Sequence, residues 1–466
     1  MPDLLDPLGN AGNADEVLSD LAWLGAMGRF EASLVDALTS EDLIPNWVSS
    51  VAESVVGQEP VDIAAIAESA RAGGNPVIPF VAAMGTAMDT YARHGSHPEG
   101  ASDYLHLGAT SQDVMDSAAM MVARTTIVQV TQSLGDVIRS LAGLAELHRA
   151  TPMAGRTLGQ HASPVTFGVV VASWLDGILA ARANLEAVRE RLPVQYGGSV
   201  GTRAVLYELV RQRRSGVDAD QVIDAVLRVL AERLGLRVAV PWHSNRMPVV
   251  ELGSALAAVV GAIGAVAADI NVLSRTEIAE VTERLGKGEG GSSAMPHKRN
   301  PVTSVLLVSA ARRSPGLVAT LFDAQVTEDQ RSTGAWHSEW LPLRELERLA
   351  IQTSATAADL AERLEVDVAR MRSNLDFTDG LIYSERVTAI LAESLGKSAA
   401  FELVAEGSRE SVQTSRPLQV VLVARLAGNH DDALRSRVVA AFDPDYGTES
   451  ASAIIDSVLA RAKEQS

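Results

Sequence analysis

No cysteine occurs anywhere in the 466 residues. That absence excludes disulfides, thiolate metal sites and a cysteine nucleophile. Aromatic residues are scarce, 4% of the chain, although apolar residues make up 47%. A core so poor in rings rests on Ala, Val and Leu, a palette that favours close-packed helices over sheets. Positive charge is also in deficit: 40 Lys and Arg face 58 Asp and Glu, for a formal net charge of −18. Such a surface repels nucleic acid and anionic membranes, so neither is expected as a partner, and any anionic substrate needs a local basic site. The opening stretch MPDLLDPLGNAGNADE is acidic and lacks the basic start and apolar run of a signal peptide, so a cytoplasmic location is expected.

Long hydrophobic runs are equally rare. Leu252–Ala268 carries no charge, but it is slightly short for a bilayer and rich in Ala and Gly. A helix buried in a bundle or a subunit interface is the simpler reading. Helical spacing prevails elsewhere, as in Val17, Leu21, Leu24 and Met27, or Ile127, Val130, Leu134, Val137 and Leu141. Three Gly/Pro/Ser-rich loops punctuate the chain: His94–Ser102, Gln195–Thr202 and Gly286–Ser293. The expectation is an all-α protein of three helical domains, at 1–105, 106–365 and 366–466, with long helices bundled in the second.

Histidines mark the loop regions: His94, His97 and His106, then His161, then His297 and His337. No HExxH occurs. His94 and His97 are three apart, but they flank Gly95 and precede Pro98, which suits a loop better than a metal-binding helix. No metal and no cofactor are expected.

The densest chemistry lies in GKGEGGSSAMPHKRNPV, Gly286–Val302. Its glycines free the backbone, yet GK is followed by Gly288, so it is not a phosphate loop. Ser292 and Ser293 stand beside His297, Lys298, Arg299 and Asn300. Serine is a poor base in water; among cations and N–H donors its alkoxide becomes accessible. The same cations suit a substrate carboxylate and the charge that builds on it. On residue types alone, a mobile basic surface loop explains the stretch more simply.

GSSAMPHKRNP nevertheless resembles the signature of the fumarase/aspartase superfamily at every fixed position. LHLGATSQDVMDSA (Leu105–Ala118) and GRTLGQHASPVTFG (Gly155–Gly168) resemble that family's other active-site regions, in the expected order. The likeness covers roughly residues 15 to 425. It implies a homotetramer of long helices, with each active site pooled from three subunits. It also implies a base that removes a proton beside a carboxylate, an aci-carboxylate carbanion, and loss or addition of a β-substituent.

The residues fit such roles. Thr110, Ser111 and Gln112 are short donors for a carboxylate, with a plain turn or N-cap as the alternative. Arg156 can grip a second carboxylate in bidentate fashion, and Thr157 and Gln160 can donate hydrogen bonds. The resemblance makes Ser292 the catalytic base and adds Ser293, Met295, Lys298, Asn300 and Arg331 as substrate contacts.

Three features point to a branch. Many family members carry His after the Thr of GRT, where this chain has Leu158. GATSQD, and VTEDQRSTGAWHSEWLPL at Val326–Leu343 together with PWHSNR at Pro241–Arg246, resemble the 3-carboxy-cis,cis-muconate cycloisomerases. Arg203 departs from that branch, which tends to have Leu there. It either adds a guanidinium to the site, as suits a nitro or carboxylate group, or makes a surface or intersubunit ion pair. His106 and His161 remain the histidine candidates for proton transfer, with a structural role as the alternative for each. The expected partner is a small polycarboxylate or succinate-like substrate. Nitrosuccinate lyase, or less well adenylosuccinate lyase, is the alternative activity; a catalytically silent helical scaffold is the non-enzyme one.

Overall fold

The Ala- and Leu-rich segments wind into helices. The computed structural model describes residues 4–56, 62–286, 288–427, 432–445 and 449–465, and among them has eighteen α-helices and four short strands. One-turn α1 (Ala14–Val17) leads to α2 (Asp20–Ser40), α3 (Trp47–Val55), α4 (Ile63–Gly73), α5 (Val77–His94) and the 37-residue α6 (Ser111–Leu147). A hairpin of β1 (Pro152–Thr157) and β2 (Gln160–Thr166) precedes α7 (Phe167–Arg189), α8 (Ala204–Arg213), α9 (Ala219–Leu234) and α10 (Met247–Leu273). Then come β3 (Val281–Glu283), α11 (Val302–Ala324), α12 (Ala335–Arg363) and β4 (Leu364–Val366). The C-terminal helices are α13 (Val368–Leu375), α14 (Ser384–Leu395), α15 (Lys397–Thr414), α16 (Leu418–Leu426), α17 (Asp432–Ala440) and α18 (Glu449–Glu464).

Apolar spacing accounts for most of the core. Ile127, Val130, Leu134, Val137 and Leu141 form a buried stripe along α6. The stripe expected from Val17 to Met27 does not form one face. Ser19 interrupts it and caps α2, its hydroxyl accepting from Ala22 N–H at 3.1 Å. Leu24 and Met27 are buried, whereas Leu21 is 62% exposed. Leu252–Ala268 lies within α10, but that helix is not covered all round. Leu252, Leu256, Val259, Val260, Ile263 and Ala267 are buried, while Ala258, Gly261, Ala265 and Ala268 form an exposed stripe of small residues. By length and composition α7, α10 and α11 could each cross a membrane. Only 22% of the apolar window in α11 is buried, and Val305 and Phe322 stand exposed on it.

Two compact units form, one from Met1–Ser133, Ala181–Gly261 and Ala310–Thr356, the other from Leu134–Ala180, Ala262–Ser309 and Ala357–Ser466. In the first, α2 packs on α3, α5 and α9 around Phe30, Leu34 and Leu38. The N-terminal segment is strapped to α12: Gln352 Nε2 donates to Asp6 at 2.7 Å and to the Gly9 carbonyl at 2.6 Å, and Arg348 pairs with Asp15 at 2.6 Å.

In the second unit, helices α14 to α17 enclose Val387, Leu391, Val404, Leu418, Leu422 and Val438. The all-α expectation holds for the fold as a whole, and within it Gly155–Thr166 belongs to a short antiparallel hairpin. Thr157 pairs with Gln160, leaving a two-residue loop. Leu158 and Gly159 both take positive φ, 50° and 79°, as a type I′ turn requires. A side chain on Gly155 would bring a Cβ within 2.4 Å of the Ser163 carbonyl oxygen, so the strands close only around glycine.

One buried group works against stability. Glu347 in α12 is fully buried, and neither carboxylate oxygen has a hydrogen-bond partner among the described residues. Burial pushes its carboxyl up to about 8, against an opposing pull from Arg344. Because the folded-state value lies above the ordinary 4.5, the neutral acid fits at low pH, and stability declines as pH rises from 4.5 towards 8. The E347Q variant is therefore expected to melt at a higher temperature than wild type at pH 8, with the gap closing towards pH 4. Thermal denaturation across that pH range checks it, and a pH-independent difference would refute it.

Candidate active site

The sequence Thr110-Ser-Gln-Asp113 reads as a helix start, and it opens α6. The Asp113 carboxylate reaches back to Thr110 N–H at 3.0 Å, the returning half of a capping box. The Thr110 hydroxyl is thereby left for another partner: Arg331 Nη2 donates to Thr110 Oγ1 at 3.0 Å and to the Ser199 carbonyl at 3.2 Å. Since Thr110 Oγ1 accepts from Arg331, its own proton is free to be donated. Arg331 Nε is buried and unpartnered among the described residues. A positive guanidinium, a spare N–H and a hydroxyl donor thus converge at one place, a donor set suited to a carboxylate. Ser111 is partly exposed beside them. Gln112 is used differently from expectation: it is fully buried and donates to the His243 carbonyl at 2.9 Å.

Asp113 also anchors the loop QYGGSVGT. Its fully buried carboxylate accepts from Gly197 N–H and Gly198 N–H, both at 2.9 Å, and bonds His243 Nε2 at 2.8 Å. Ser117 bonds the Gln195 main chain, and Tyr196 Oη donates to the Leu107 carbonyl at 2.9 Å. A Cβ on Gly197 would lie 2.7 Å from His243 Cε1, so only glycine lets the histidine approach. One turn further along α6, Asp116 meets Arg246 through two bonds of 2.8 and 3.0 Å, and Arg246 also pairs with Glu339 at 2.7 Å. Trp336 Nε1 donates to Asp116 at 3.0 Å, and the Arg246 guanidinium lies over the Trp242 ring. These buried charges join the three stretches GATSQDVMD, PWHSNR and TGAWHSEW. Asp113, Asp116, His243, Arg246 and Glu339 were not singled out by sequence reasoning; the T-x-x-D spacing was the signal for the first.

Within its own chain Arg203 is bonded to the main chain. It sits at φ 56° ahead of α8. Its guanidinium donates to the carbonyls of Tyr196 at 2.9 Å and Ala239 at 3.0 Å, bracing the glycine loop.

In the second unit, Arg156, Thr157, Gln160 and His161 all lie on the hairpin. Arg156 is already gripped: its fork meets the fully buried Glu280 at 2.9 and 2.7 Å, and Asn374 Nδ2 donates to the same carboxylate at 2.8 Å. Thr157 and Gln160 are exposed near the tip, and Leu158 is 103% exposed. His161 packs against Phe377, and its Nδ1 is buried without a partner among the described residues. Burial, and then the Arg156 charge, hold its imidazole below the ordinary value, so it is neutral at pH 7.

The serine loop hangs from β3. Glu283 accepts from Thr303 N–H at 3.0 Å and Ser304 N–H at 2.8 Å, capping α11 and pinning the loop's far end beside its near end. Asn300 closes the inner ring: its N–H and Nδ2 donate to the Gly290 carbonyl at 2.9 and 3.2 Å. Ser292 Oγ accepts two backbone donors, Met295 N–H at 3.1 Å and Ala294 N–H at 3.3 Å. Such bonds favour the charged form of an oxygen. Ser293, Met295, His297, Lys298 and Arg299 are exposed, and neither Lys298 nor Arg299 is paired with a carboxylate among the described residues. No cluster of three or more His, Asp or Glu residues suited to a metal ion occurs among the described residues.

His106, in the first unit, has φ 58° and is held by the fully buried Glu31, with Nδ1 to Oε1 at 2.6 Å and N–H to Oε2 at 3.1 Å. Burial opposes its protonation, but the Glu31 hydrogen bond and charge, helped by Asp113, raise it above the ordinary 6.5. The stability of this pair is fully present below about pH 6.5 and is lost as pH rises through the elevated value. In an E31Q variant burial remains and the charge is gone, so His106 is expected to titrate lower than in wild type. NMR titration of the imidazole measures this; an unchanged midpoint would show that Glu31 does not set it.

Comparison with known proteins places this geometry. Residues 35–316 match the model of a family described as lyase. The chain is 40% identical over 452 residues to a 3-carboxy-cis,cis-muconate cycloisomerase of Pseudomonas aeruginosa, covering 95% of this chain and 93% of that protein. It is also 40% identical over 422 residues to a nitrosuccinate lyase of Streptomyces davaonensis, with 90% and 87% covered. The crystal structure of the 3-carboxy-cis,cis-muconate lactonizing enzyme from Pseudomonas putida superposes with a TM-score of 0.84 at 34% identity, over 97% of both chains. The chain belongs to this lyase family and is an enzyme of the fumarase/aspartase superfamily.

Proposed function

We propose that the enzyme interconverts a 3-carboxy-cis,cis-muconate-like polycarboxylate and its lactone. The observation that carries the chemistry is the Ser292 hydroxyl, which accepts N–H bonds from Ala294 and Met295 in a loop whose Lys298 and Arg299 lack carboxylate partners among the described residues. In the lactone-opening direction the Ser292 alkoxide takes the proton beside a carboxylate, the C–O bond breaks, and the electron pair becomes the new double bond. In the closing direction a carboxylate oxygen adds to the double bond, charge collects on another carboxylate, and the Ser292 hydroxyl returns the proton. Arg331 and Thr110 hold one carboxylate; Lys298 and Asn300 of another copy of the chain act on another.

The substrate assignment is supported by the names of the Pseudomonas relatives. A second reading, elimination of nitrite from nitrosuccinate, is favoured by the Streptomyces relative of equal identity. The exposed Leu158, where many family members carry histidine, suits reactions whose leaving group needs no imidazole acid. We further propose that the enzyme works as a homotetramer with shared sites. The small-residue stripe of α10 and the exposed apolar face of α11 offer close-packing surfaces for other copies.

Ultraviolet assays of the purified enzyme with 3-carboxy-cis,cis-muconate, its lactone and nitrosuccinate separate the readings. Consumption of the muconate or lactone is expected, and nitrite release from nitrosuccinate alone would replace that reading. S292A should lower kcat by about 10²–10⁴-fold while its circular dichroism and sedimentation match wild type. Near-normal turnover would remove Ser292 from the mechanism, and a monomer in sedimentation would remove the shared site.

A further inference from the structure

The carboxylate-binding pair Arg331–Thr110 does not hold itself in place. Arg331 Nη2 has two acceptors, Thr110 Oγ1 and the Ser199 carbonyl. They lie on separate stretches of chain, one at the start of α6 and the other in the loop before α8. Both stretches are bound by the same carboxylate. Asp113 Oδ2 accepts from Thr110 N–H at 3.0 Å and from Gly198 N–H, the residue before Ser199, at 2.9 Å. Asp113 Oδ1 accepts from Gly197 N–H at 2.9 Å and bonds His243 Nε2 at 2.8 Å. Asp113 is fully buried and His243 is 6% exposed, so neither has water as a substitute partner.

We infer that Asp113 is a positioning residue for the substrate-carboxylate site, with His243 fixing the orientation of its carboxylate. It touches no substrate. It sets the separation of Thr110 Oγ1 and the Ser199 carbonyl, and so the place where Arg331 presents its remaining N–H groups. The role rests on Arg331 and Thr110 being the substrate-carboxylate site. It separates Asp113 from a simple helix cap, because a cap needs Thr110 alone, whereas this carboxylate spends half its bonds on the glycine loop.

Two readouts test it on the full-length enzyme. The first is kinetic, with whichever substrate the wild type turns over. D113N is expected to raise KM roughly ten- to a hundredfold, the cost of hydrogen bonds to a charged group, and to lower kcat by a smaller factor. In an R331A background the same substitution should change KM by no more than about twofold, because the two residues act on one contact. An unchanged KM in D113N, or a full multiplicative effect in R331A, would overturn the role. The second readout needs no turnover. The rate at which phenylglyoxal modifies Arg331, followed by peptide mass spectrometry, should rise several-fold in D113N, and an unchanged rate counts against the proposal. Wild type that is inactive on every substrate, yet shows the labelling difference, would sink the functional reading and leave the positioning role standing. If D113N does not fold, H243F keeps a ring but offers the carboxylate no donor, and it should give the same pattern with smaller factors; wild-type behaviour in folded H243F would overturn the inference.

Discussion

A buried carboxylate must be fully bonded or it destabilises the fold, and Asp113 satisfies that demand with donors drawn from three places in the chain. Leaving such a group short of one hydrogen bond costs about 1.5–3 kcal/mol, because the charge left behind is still buried. The helix start, the glycine loop and the PWHSNR turn therefore stand or fall together. A turn of α6 later the Asp116–Arg246–Glu339 triad repeats the device, and Trp336 ties the beginning of α12 to it. Arg331 precedes that anchored helix by a few residues, so its reach to Thr110 follows from where the triad holds Trp336. Much of each polar motif is therefore buried scaffold.

That division explains what could be read from the sequence. Helix content and the α6 core stripe followed from composition and spacing, because burial of aliphatic side chains at helical intervals is a local rule. The serine loop stood out through its unbroken family pattern alone, because its residue types by themselves suit a mobile basic surface loop. Residue type could not distinguish Thr110, whose hydroxyl is turned towards Arg331, from Gln112, whose amide is consumed by the His243 carbonyl. Both are polar and lie two positions apart; only the three-dimensional path of a distant loop separates them. Arg156 and Arg203 were hidden for the same reason, since the sequence does not show that Glu280 or two main-chain carbonyls will claim their guanidinium groups.

The hairpin was missed because its signal is weak by composition. A Leu-Gly turn is unusual for the left-handed backbone it adopts, and the tetrapeptide lies among residues that read as a polar active-site motif. Its closure depends on the missing side chain at Gly155, a requirement that appears only when Ser163 is brought opposite.

The tip of that hairpin has an evolutionary consequence. Leu158 touches nothing that would constrain its size, because its side chain is fully exposed within its own chain while the turn is set by backbone angles and by Gly159. Exchanging it leaves the core, the strand register and the Arg156–Glu280 grip as they are. Imidazole, aliphatic or other side chains can therefore be exchanged at this one point while the scaffold stays as it is.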